Sequence, residues 1–428
     1  MTPRERLQAT LDHEPVDRLC VDLGAGGQTG IGVCALHRLR QAVLGDPGYR
    51  VKVHEPYQML GEVDDALREV LGLDVIGIPT PGTMFGYRAE GWKPFTMPDG
   101  TPCLVPGRFN VTRDANGDTL MYPEGDTAAA PCARMPSDGY FFDSIRRQEP
   151  IDEDRLDPAD NLEEFGPISD DDVHYYVDAV TRAYARTDYG LYLTIGGAAF
   201  GDIALVPAPW SRHPKGIRDV EEWYVSTFTR PAYVKAVFER QCEVALGNIE
   251  HLAKALGNTV QVAFVSGTDF GTQTSTFCSV DTFRDLYKPY LAAVCGRIHD
   301  LTRWKVFIHS CGAVLPLIPD FIDAGVDVLN PVQCSATGMD PRHLKREFGK
   351  DLVFWGGGVD TQRTLPFGTP DEVYREVRER IDVFFEDGTG FVFNTIHNIL
   401  SNVPVENILA LFRAVNDARG LGGPTRMR

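Results

Sequence analysis

The residues best suited to chemistry lie in the segment 307–312, where His309 and Cys311 stand two positions apart. In an extended chain, residues i and i+2 point to the same side, so this imidazole and this thiol can converge on one point. Mixed nitrogen and sulfur ligands are typical of zinc. A buried cysteine is more often a small apolar core residue, so the pair alone is a weak signal. Its position at the end of a predicted strand strengthens the prediction of a metal site.

A catalytic zinc ion usually has three protein ligands and one open position. We predict His397, which follows the last predicted strand, as the third ligand. Cys334, which ends the strand after that of His309, is the alternative third ligand. A further alternative gives His397 a role in substrate binding or proton transfer at a site that holds no metal.

Polar residues also follow other predicted strands. In the segment 266–273, Asp269 is predicted to orient the substrate or to transfer a proton. Gln273, in the same segment, is also predicted to be a catalytic residue. The alternative for Asp269 is that it caps a helix or braces its loop. Four further residues at strand ends are predicted to bind the substrate: Asp22, Asn330, Gln333 and Asp360.

Eight short apolar runs must position these residues, and such runs are typical of parallel strands buried on both faces. Helical patterns follow the later runs, at 280–301, 314–323, 341–348, 370–385 and 405–418. Eight strands that alternate with helices predict an α/β fold, the (β/α)8 or TIM barrel, with its active site at the carboxyl ends of the strands. A doubly wound sheet is the alternative. The runs are residues 20–23, 74–78, 191–195, 260–265, 305–308, 326–329, 352–355 and 391–394.

A long insertion, residues 80–190, separates the second and third predicted strands within a single domain, 1–428. Residues 92–122 contain two hairpin-turn signals and predict a small β-meander. The acidic stretch 152–172 is interpreted as a linker, and a helix is predicted after it at 172–186. The insertion is either surface decoration or a lid or docking element over the barrel mouth.

The composition narrows the possible partners. The 428 residues carry 60 Asp and Glu against 42 Lys and Arg, a formal net charge of −18, which repels the phosphate backbone of nucleic acid. No apolar run has the ~20 residues needed to span a bilayer, and the charged N-terminus lacks the apolar core of a signal peptide. We therefore expect a cytoplasmic protein without membrane contact, in which the nine cysteines stay reduced.

Several motifs, taken together, resemble those of the uroporphyrinogen decarboxylase superfamily, most strongly from about residue 260 onward. The resemblance implies a TIM-barrel fold. The motifs are Thr-Asp-Phe-Gly-Thr-Gln at 268–273, Phe-Arg-Asp-Leu-Tyr-Lys-Pro-Tyr at 283–290, Ile-His-Ser-Cys-Gly at 308–312, Trp-Gly-Gly-Gly-Val-Asp at 355–360, Thr-Ile-His at 395–397 and Val-Pro-Val-Glu-Asn-Ile at 403–408.

The superfamily contains two chemistries. Its decarboxylases bind an acidic tetrapyrrole through an N-terminal arginine motif and use no metal, and the corresponding segment here, 18–27, has no such motif. Its methyltransferases work with corrinoid proteins and bind zinc through His-x-Cys and a distant cysteine. His309 and Cys311 match the first part, whereas His397 stands where those enzymes have the cysteine.

The resemblance thus implies a zinc-dependent methyltransferase. We expect a methyl group to move from an O-, N- or S-methylated small molecule to the corrinoid, or cobalamin, cofactor of a partner protein; transfer in the opposite direction is the other possibility. The main alternative is a metal-free decarboxylase or lyase that acts on a small carboxylated substrate. A barrel that binds a ligand without turnover is the third hypothesis.

Overall fold

A computed structural model describes residues 1–162 and 165–421. In chain order the strands are β1 (Cys20–Val21), β2 (Val51–Glu55), β3 (Leu60–Gly61), β4 (Val75–Gly77), β5 (Lys93–Thr96), β6 (Pro102–Val105), β7 (Val111–Arg113), β8 (Thr119–Met121), β9 (Ala133–Met135), β10 (Asp143–Ser144), β11 (Gly190–Thr194), β12 (Val262–Ser266), β13 (Lys305–His309), β14 (Val328–Asn330), β15 (Val353–Trp355) and β16 (Phe391–Phe393).

The helices lie between these strands and at the two ends of the chain. They are α1 (Pro3–Leu11), α2 (Val33–Leu44), α3 (Asp65–Leu71), α4 (Asp170–Arg186), α5 (Val220–Thr229), α6 (Pro231–Leu256), α7 (Val280–Leu286), α8 (Lys288–Leu301), α9 (Ile318–Asp323), α10 (Pro341–Phe348), α11 (Thr364–Phe367), α12 (Pro370–Phe384) and α13 (Val405–Ala418), with 3₁₀ turns at Pro123–Gly125, Glu153–Arg155, Pro158–Asn161 and Leu315–Leu317.

Eight of the strands form one parallel sheet in the order β1-β16-β15-β14-β13-β12-β11-β4. The sheet curves into a nearly closed barrel. At the seam between β1 and β4, the Asp74 N–H donates to the Val21 carbonyl (2.8 Å), and the Val21 N–H donates to Asp74 Oδ2 (2.9 Å). Each strand corresponds to one predicted run, so the TIM-barrel prediction is confirmed and the doubly wound alternative is excluded.

Large side chains fill the barrel interior. The rings of Tyr192 and Phe307 lie 5.2 Å apart, and those of Phe307 and Trp355 lie 5.3 Å apart. Leu7 and Leu11 of α1 join the same buried cluster and close the amino-terminal end of the barrel. A packed interior leaves the carboxyl ends of the strands as the open end.

The amino-terminal end also contains a buried ion-pair network. The Asp74 side chain is fully buried and contacts the guanidinium groups of Arg6 (2.5 Å) and Arg419 (2.8 Å), which are themselves buried. Arg6 also pairs with Asp17 (2.7 Å). Because Asp74 directly precedes β4, Arg6 lies in α1 and Arg419 follows α13, the network ties the first and last helices to the barrel seam.

Two small sheets lie outside the barrel, in the orders β3-β2-β6-β5 and β10-β9-β8-β7. Both predicted hairpins are present as β5–β6 and β7–β8, but they belong to separate sheets and do not form one meander. Pro106 and Gly107 follow β6, where proline removes a backbone donor and ends strand pairing. The first sheet also recruits β2 and β3, which precede the predicted insertion.

Two further observations concern the chain as a whole. All nine cysteines fall within the described residues, and all are free thiols. Within residues 1–162 and 165–421, no helix combines the length and the apolarity that a bilayer crossing requires.

Candidate metal centre

Three potential metal ligands meet at the open end of the barrel. His309 is the last residue of β13, Cys311 follows two positions later, and His397 lies in the loop after β16. His309 Nε2 is 3.3 Å from Cys311 Sγ, and the two imidazole rings lie 5.3 Å apart. One ligand atom from each of the three residues falls within 4.8 Å of the other two. Two nitrogens and one sulfur at this spacing suit a single tetrahedral zinc ion.

A hydrogen bond fixes the ring of His309. Its Nδ1 lies 2.6 Å from Asn330 Oδ1, and the Asn330 Nδ2 donates to the Trp355 carbonyl (2.8 Å). Because the amide oxygen can only accept, Nδ1 carries the proton and Nε2 is left with its lone pair toward Cys311. The pairing of β13 with β14 sets His309 level with Asn330 and produces this contact. Buried partners of this kind orient the histidine ligands of metal sites.

Burial determines the protonation of the three residues. It lowers the pKa of His309 to about 4 and that of His397 to about 4, so both imidazoles are neutral near pH 7. Burial, together with the Asp269 carboxylate, raises the pKa of the Cys311 thiol well above its usual range. A cation bound here would favour the thiolate, because metal ligands must be deprotonated. The donor set therefore fits a divalent ion.

Asp269 braces the loop that carries Cys311. Its Oδ1 accepts the Cys311 N–H at 2.6 Å, and the neighbouring Phe270 N–H donates to Ser310 Oγ at 2.9 Å. Burial raises the pKa of Asp269, while the Cys311 N–H and His397 act in the opposite direction. The structure thus displays the bracing contact, and the catalytic role of Asp269 stays a prediction.

Glycine is required where the same two loops touch. Gly312 has φ of +93°, and a Cβ at this position would lie 2.3 Å from the carbonyl carbon of Gly271. A side chain would therefore separate the loops after β12 and β13. The close backbone contact keeps Cys311 beside His309.

A cavity of about 270 Å³ opens beside Cys311 and His397. Besides these two residues, three others of the predicted site belong to its wall: Gln273, Gln333 and Asp360. Gln333 Oε1 accepts the Gly312 N–H (2.7 Å), which leaves its NH₂ group for other partners. The residues that line the cavity lie in the loops that come after strands β12 to β16. They are Gln273, Cys311, Gln333, Ser335, Asp360, Thr361, Gln362, Ile396, His397, Asn398 and Leu400.

Two predicted substrate-binding residues lie outside this wall. Asn330 is completely buried, and its amide is engaged by His309 and Trp355. Asp22 is also buried; its two oxygens accept the Trp355 indole N–H (3.1 Å) and the Ala25 N–H (3.1 Å), and burial raises its pKa to about 6. Both residues therefore have partners within the protein.

Cys334, the alternative third ligand, is not a member of the metal-ligand cluster. Its Sγ lies 3.4 Å from the Val332 carbonyl oxygen and 3.9 Å from that of Gly357. Of the two candidates for the third ligand, His397 is the one with a ligand atom within 4.8 Å of those of His309 and Cys311.

Three residues near the centre were not predicted. Asn398 donates to Gln58 Oε1 (2.8 Å) and to the Gly27 carbonyl (2.7 Å), which ties the loop after β16 to the loop after β1. Asp202, in the loop after β11, lies against Gly267, and burial together with the charge of Asp269 raises its pKa to about 6. The sequence could have indicated Asn398, because it is adjacent to the predicted ligand His397. No feature of the sequence indicated that Gln58 and Asp202 lie near the centre.

Comparisons with known proteins agree with this architecture. The family model described as uroporphyrinogen decarboxylase (URO-D) matches residues 144–418, well over half of the chain. Over its full length the fold resembles a solved methyltransferase from Methanosarcina mazei, with a TM-score of 0.53 and 17% sequence identity, covering 97% of this chain and 99% of that one. The structural match supports the barrel fold.

Two curated relatives are similar over part of the chain. A methylated-thiol–coenzyme M methyltransferase from Methanosarcina mazei is 24% identical over 219 residues, which cover 50% of this chain and 53% of that protein. A 2-hydroxypropyl-CoM lyase from Xanthobacter autotrophicus is 29% identical over 108 residues, 24% of this chain and 28% of the lyase. The chain thus spans about half or less of the length of these relatives.

Proposed function

The chain belongs to the uroporphyrinogen decarboxylase family, and from this premise we propose that it is a zinc-dependent methyltransferase. A methyl group would move from an O-, N- or S-methylated small molecule to the corrinoid cofactor of a partner protein. The observation that carries the proposal is the cluster of His309, Cys311 and His397, whose ligand atoms lie within 4.8 Å of one another. The Methanosarcina relative, named as a methyltransferase, supports the type of reaction.

The three ligands would hold zinc and leave one coordination position for the substrate. Zinc bound there would act as a Lewis acid on the heteroatom that carries the methyl group. Asn330 is a positioning residue in this scheme, because its 2.6 Å contact with Nδ1 fixes the ring of His309. We therefore assign Asn330 to the support of the metal site instead of the substrate.

The other polar residues would handle the substrate. When the bond to the methyl group breaks, its electron pair stays on the heteroatom, which then takes up a proton. We propose Asp269 as the source of that proton, since it lies beside Cys311. Gln273, Gln333 and Asp360 line the cavity and would bind the methylated compound.

The partner protein must reach the same opening. None of the described residues of the insertion 80–190 lines the cavity. The insertion contacts Tyr57, whose carbonyl accepts the Phe142 N–H (2.8 Å) and whose hydroxyl lies 3.0 Å from Ser144 Oγ. The adjacent Gln58 contacts Asn398 at the rim. We propose that the insertion serves as a docking element for the corrinoid protein.

A methyl-transfer assay tests the proposal. The zinc-supplemented protein is incubated with methylated compounds and a reduced corrinoid protein, and methylation of the corrinoid is followed by absorbance. We expect transfer with the wild-type protein, loss of transfer in Cys311→Ser and retention in Cys278→Ser, which changes a thiol outside the metal-ligand cluster. Equal transfer by both variants would contradict the proposed role of the metal site.

A lyase is the second candidate, because one relative is named as a 2-hydroxypropyl-CoM lyase. This candidate corresponds to the metal-free decarboxylase or lyase that acts on a small carboxylated compound, with Asp269 and His397 in proton transfer. Cleavage of such a compound without any corrinoid protein, at a rate unchanged by removal of metal, would favour the lyase.

A further inference from the structure

The wall of the cavity beside the metal-ligand cluster has a distinctive charge pattern. Among the described residues of this wall, four carry amide side chains and Asp360 is the single carboxylic acid. Among the described residues that line it, there is no lysine or arginine. The described wall therefore presents the Asp360 carboxyl group without a lysine or arginine beside it.

Backbone contacts hold the Asp360 carboxylate in place. Its Oδ1 accepts the N–H groups of Gln362 (2.7 Å) and Arg363 (3.1 Å), and the Asp360 N–H donates to Glu376 Oε1 (3.1 Å). The described part of the chain provides no ion-pair partner for it. Asp360 is half-buried and lines the cavity, and both hydrogen bonds that its carboxylate accepts from the described residues go to Oδ1, which leaves Oδ2 for a ligand.

These observations rest on the proposed function, in which the cavity receives the methylated compound. We propose that the end of this compound remote from the methyl group is cationic and that it binds the Asp360 carboxylate. A cationic N–H group would form a charge-assisted hydrogen bond with the free oxygen, which is stronger than a bond between neutral groups.

An anionic compound would meet the opposite situation. At the end remote from the methyl group, its charge would lie near Asp360, and the described lining residues include no lysine or arginine to balance it. Like charges at short range repel each other strongly in a partly desolvated site. The formal charge of −18 on the whole chain adds to this repulsion. The amides of Gln273 and Gln333 do not decide the charge class, because an amide can both donate and accept hydrogen bonds.

The inference is tested with three probes of the same shape and different charge. They are 4-methoxybenzamidinium, 4-methoxybenzamide and 4-methoxybenzoate, which carry a positive, neutral and negative group opposite the same methoxy group. Binding to the purified protein is measured by isothermal titration calorimetry. We expect the cation to bind at least about tenfold more tightly than the amide, as for a hydrogen bond to a charged group, and the carboxylate to bind most weakly.

Two variants test whether Asp360 causes the preference for the cationic probe. Asp360→Asn keeps an oxygen that can accept the Gln362 and Arg363 N–H groups but removes the charge, so the preference for the cation over the amide should fall to about twofold or less. Asp371→Asn removes the same charge from a side chain that is 89% exposed on α12, and it should keep the wild-type preference.

The possible results separate this inference from the proposed function. Tighter binding of the carboxylate, equal binding of the three probes, no binding of the cation, or an unchanged preference in Asp360→Asn overturns the inference. Binding does not require methyl transfer. A retained cation preference without methylation of any corrinoid would therefore reject the proposed reaction while supporting the charge of the ligand, and methyl transfer with an anionic preference would do the reverse.

Discussion

The two ends of the barrel differ in whether their carboxylates have ion-pair partners. At the closed amino-terminal end, the Asp74 carboxylate lies between the guanidinium groups of Arg6 and Arg419. At the open end, Asp202 and Asp269 accept backbone N–H groups, and neither has an ion-pair partner among the described residues. Paired charges suit a region that only has to stay folded. Unpaired carboxylates beside a cavity indicate a region in which a ligand, a metal or a proton balances their negative charge.

The largest effect on stability is expected at the closed end. Asp74→Asn removes the buried carboxylate that Arg6 and Arg419 share, so we expect a loss of about 3–5 kcal/mol in the free energy of unfolding. Denaturant unfolding provides the measurement. Asp17→Asn is the control, because Asp17 also pairs with Arg6 but its side chain is 41% exposed, and a loss below about 1 kcal/mol is expected.

Zinc binding sharpens this first prediction. The folded fraction of Asp74→Asn should bind zinc as the wild-type protein does, since the metal-ligand cluster lies at the other end of the barrel. Equal destabilisation by both variants, or loss of zinc binding in Asp74→Asn, would break the division between the two ends.

The next effect concerns the support of the metal site. Asn330→Ala removes the acceptor of the His309 Nδ1–H, and we expect zinc affinity to fall about tenfold to a hundredfold. Competition with a chelator of known affinity measures the change. Asn407→Ala deletes another buried amide, which donates to Leu365 and Gly368 carbonyls near α11, and it should leave zinc affinity unchanged. A drop of the same size in both variants would indicate a general loss of structure.

The smallest effect is a pH-dependent gain in stability at the open end. Burial raises the pKa of Asp202 from 3.8 to about 6, so its ionisation costs stability as the pH rises from about 4 through about 6. Asp202→Asn keeps an oxygen acceptor for the Ala204 N–H. We expect this variant to gain about 1–2 kcal/mol over the wild-type protein at pH 8 and nothing at pH 4.

Unfolding curves at both pH values measure this difference. Asp371→Asn, at an exposed position, should show no comparable gain at pH 8. A variant at position 202 that loses stability at pH 8 would show that the carboxylate has a stabilising partner after all.

Much of the barrel could be predicted because its strands are short and almost wholly apolar. The run 305–308 became β13 (Lys305–His309), and 391–394 became β16 (Phe391–Phe393). The predicted helix 280–301 divides into α7 and α8 at Tyr287, because Pro289, the second residue of α8, lacks the backbone donor that would continue α7. The pairing of β2 with β6 joins residues about fifty positions apart, and local pattern does not specify such contacts.

The candidate site shows the same limit. The spacing of His309 and Cys311 is local, so the sequence suffices to place them together. The contact of His309 with Asn330 depends on the register between β13 and β14. The positions of Asp202 and Gln58 depend on the paths of long loops, which hydrophobic periodicity does not determine.

The most direct test of the account is the zinc content of the protein and of two variants. Each is saturated with zinc, dialysed and analysed by mass spectrometry for the metal. We expect about one zinc per chain in the wild-type protein and in Cys334→Ser, and none retained by His397→Ala. A wild-type protein without zinc, or zinc lost in Cys334→Ser and kept in His397→Ala, would contradict the proposed centre.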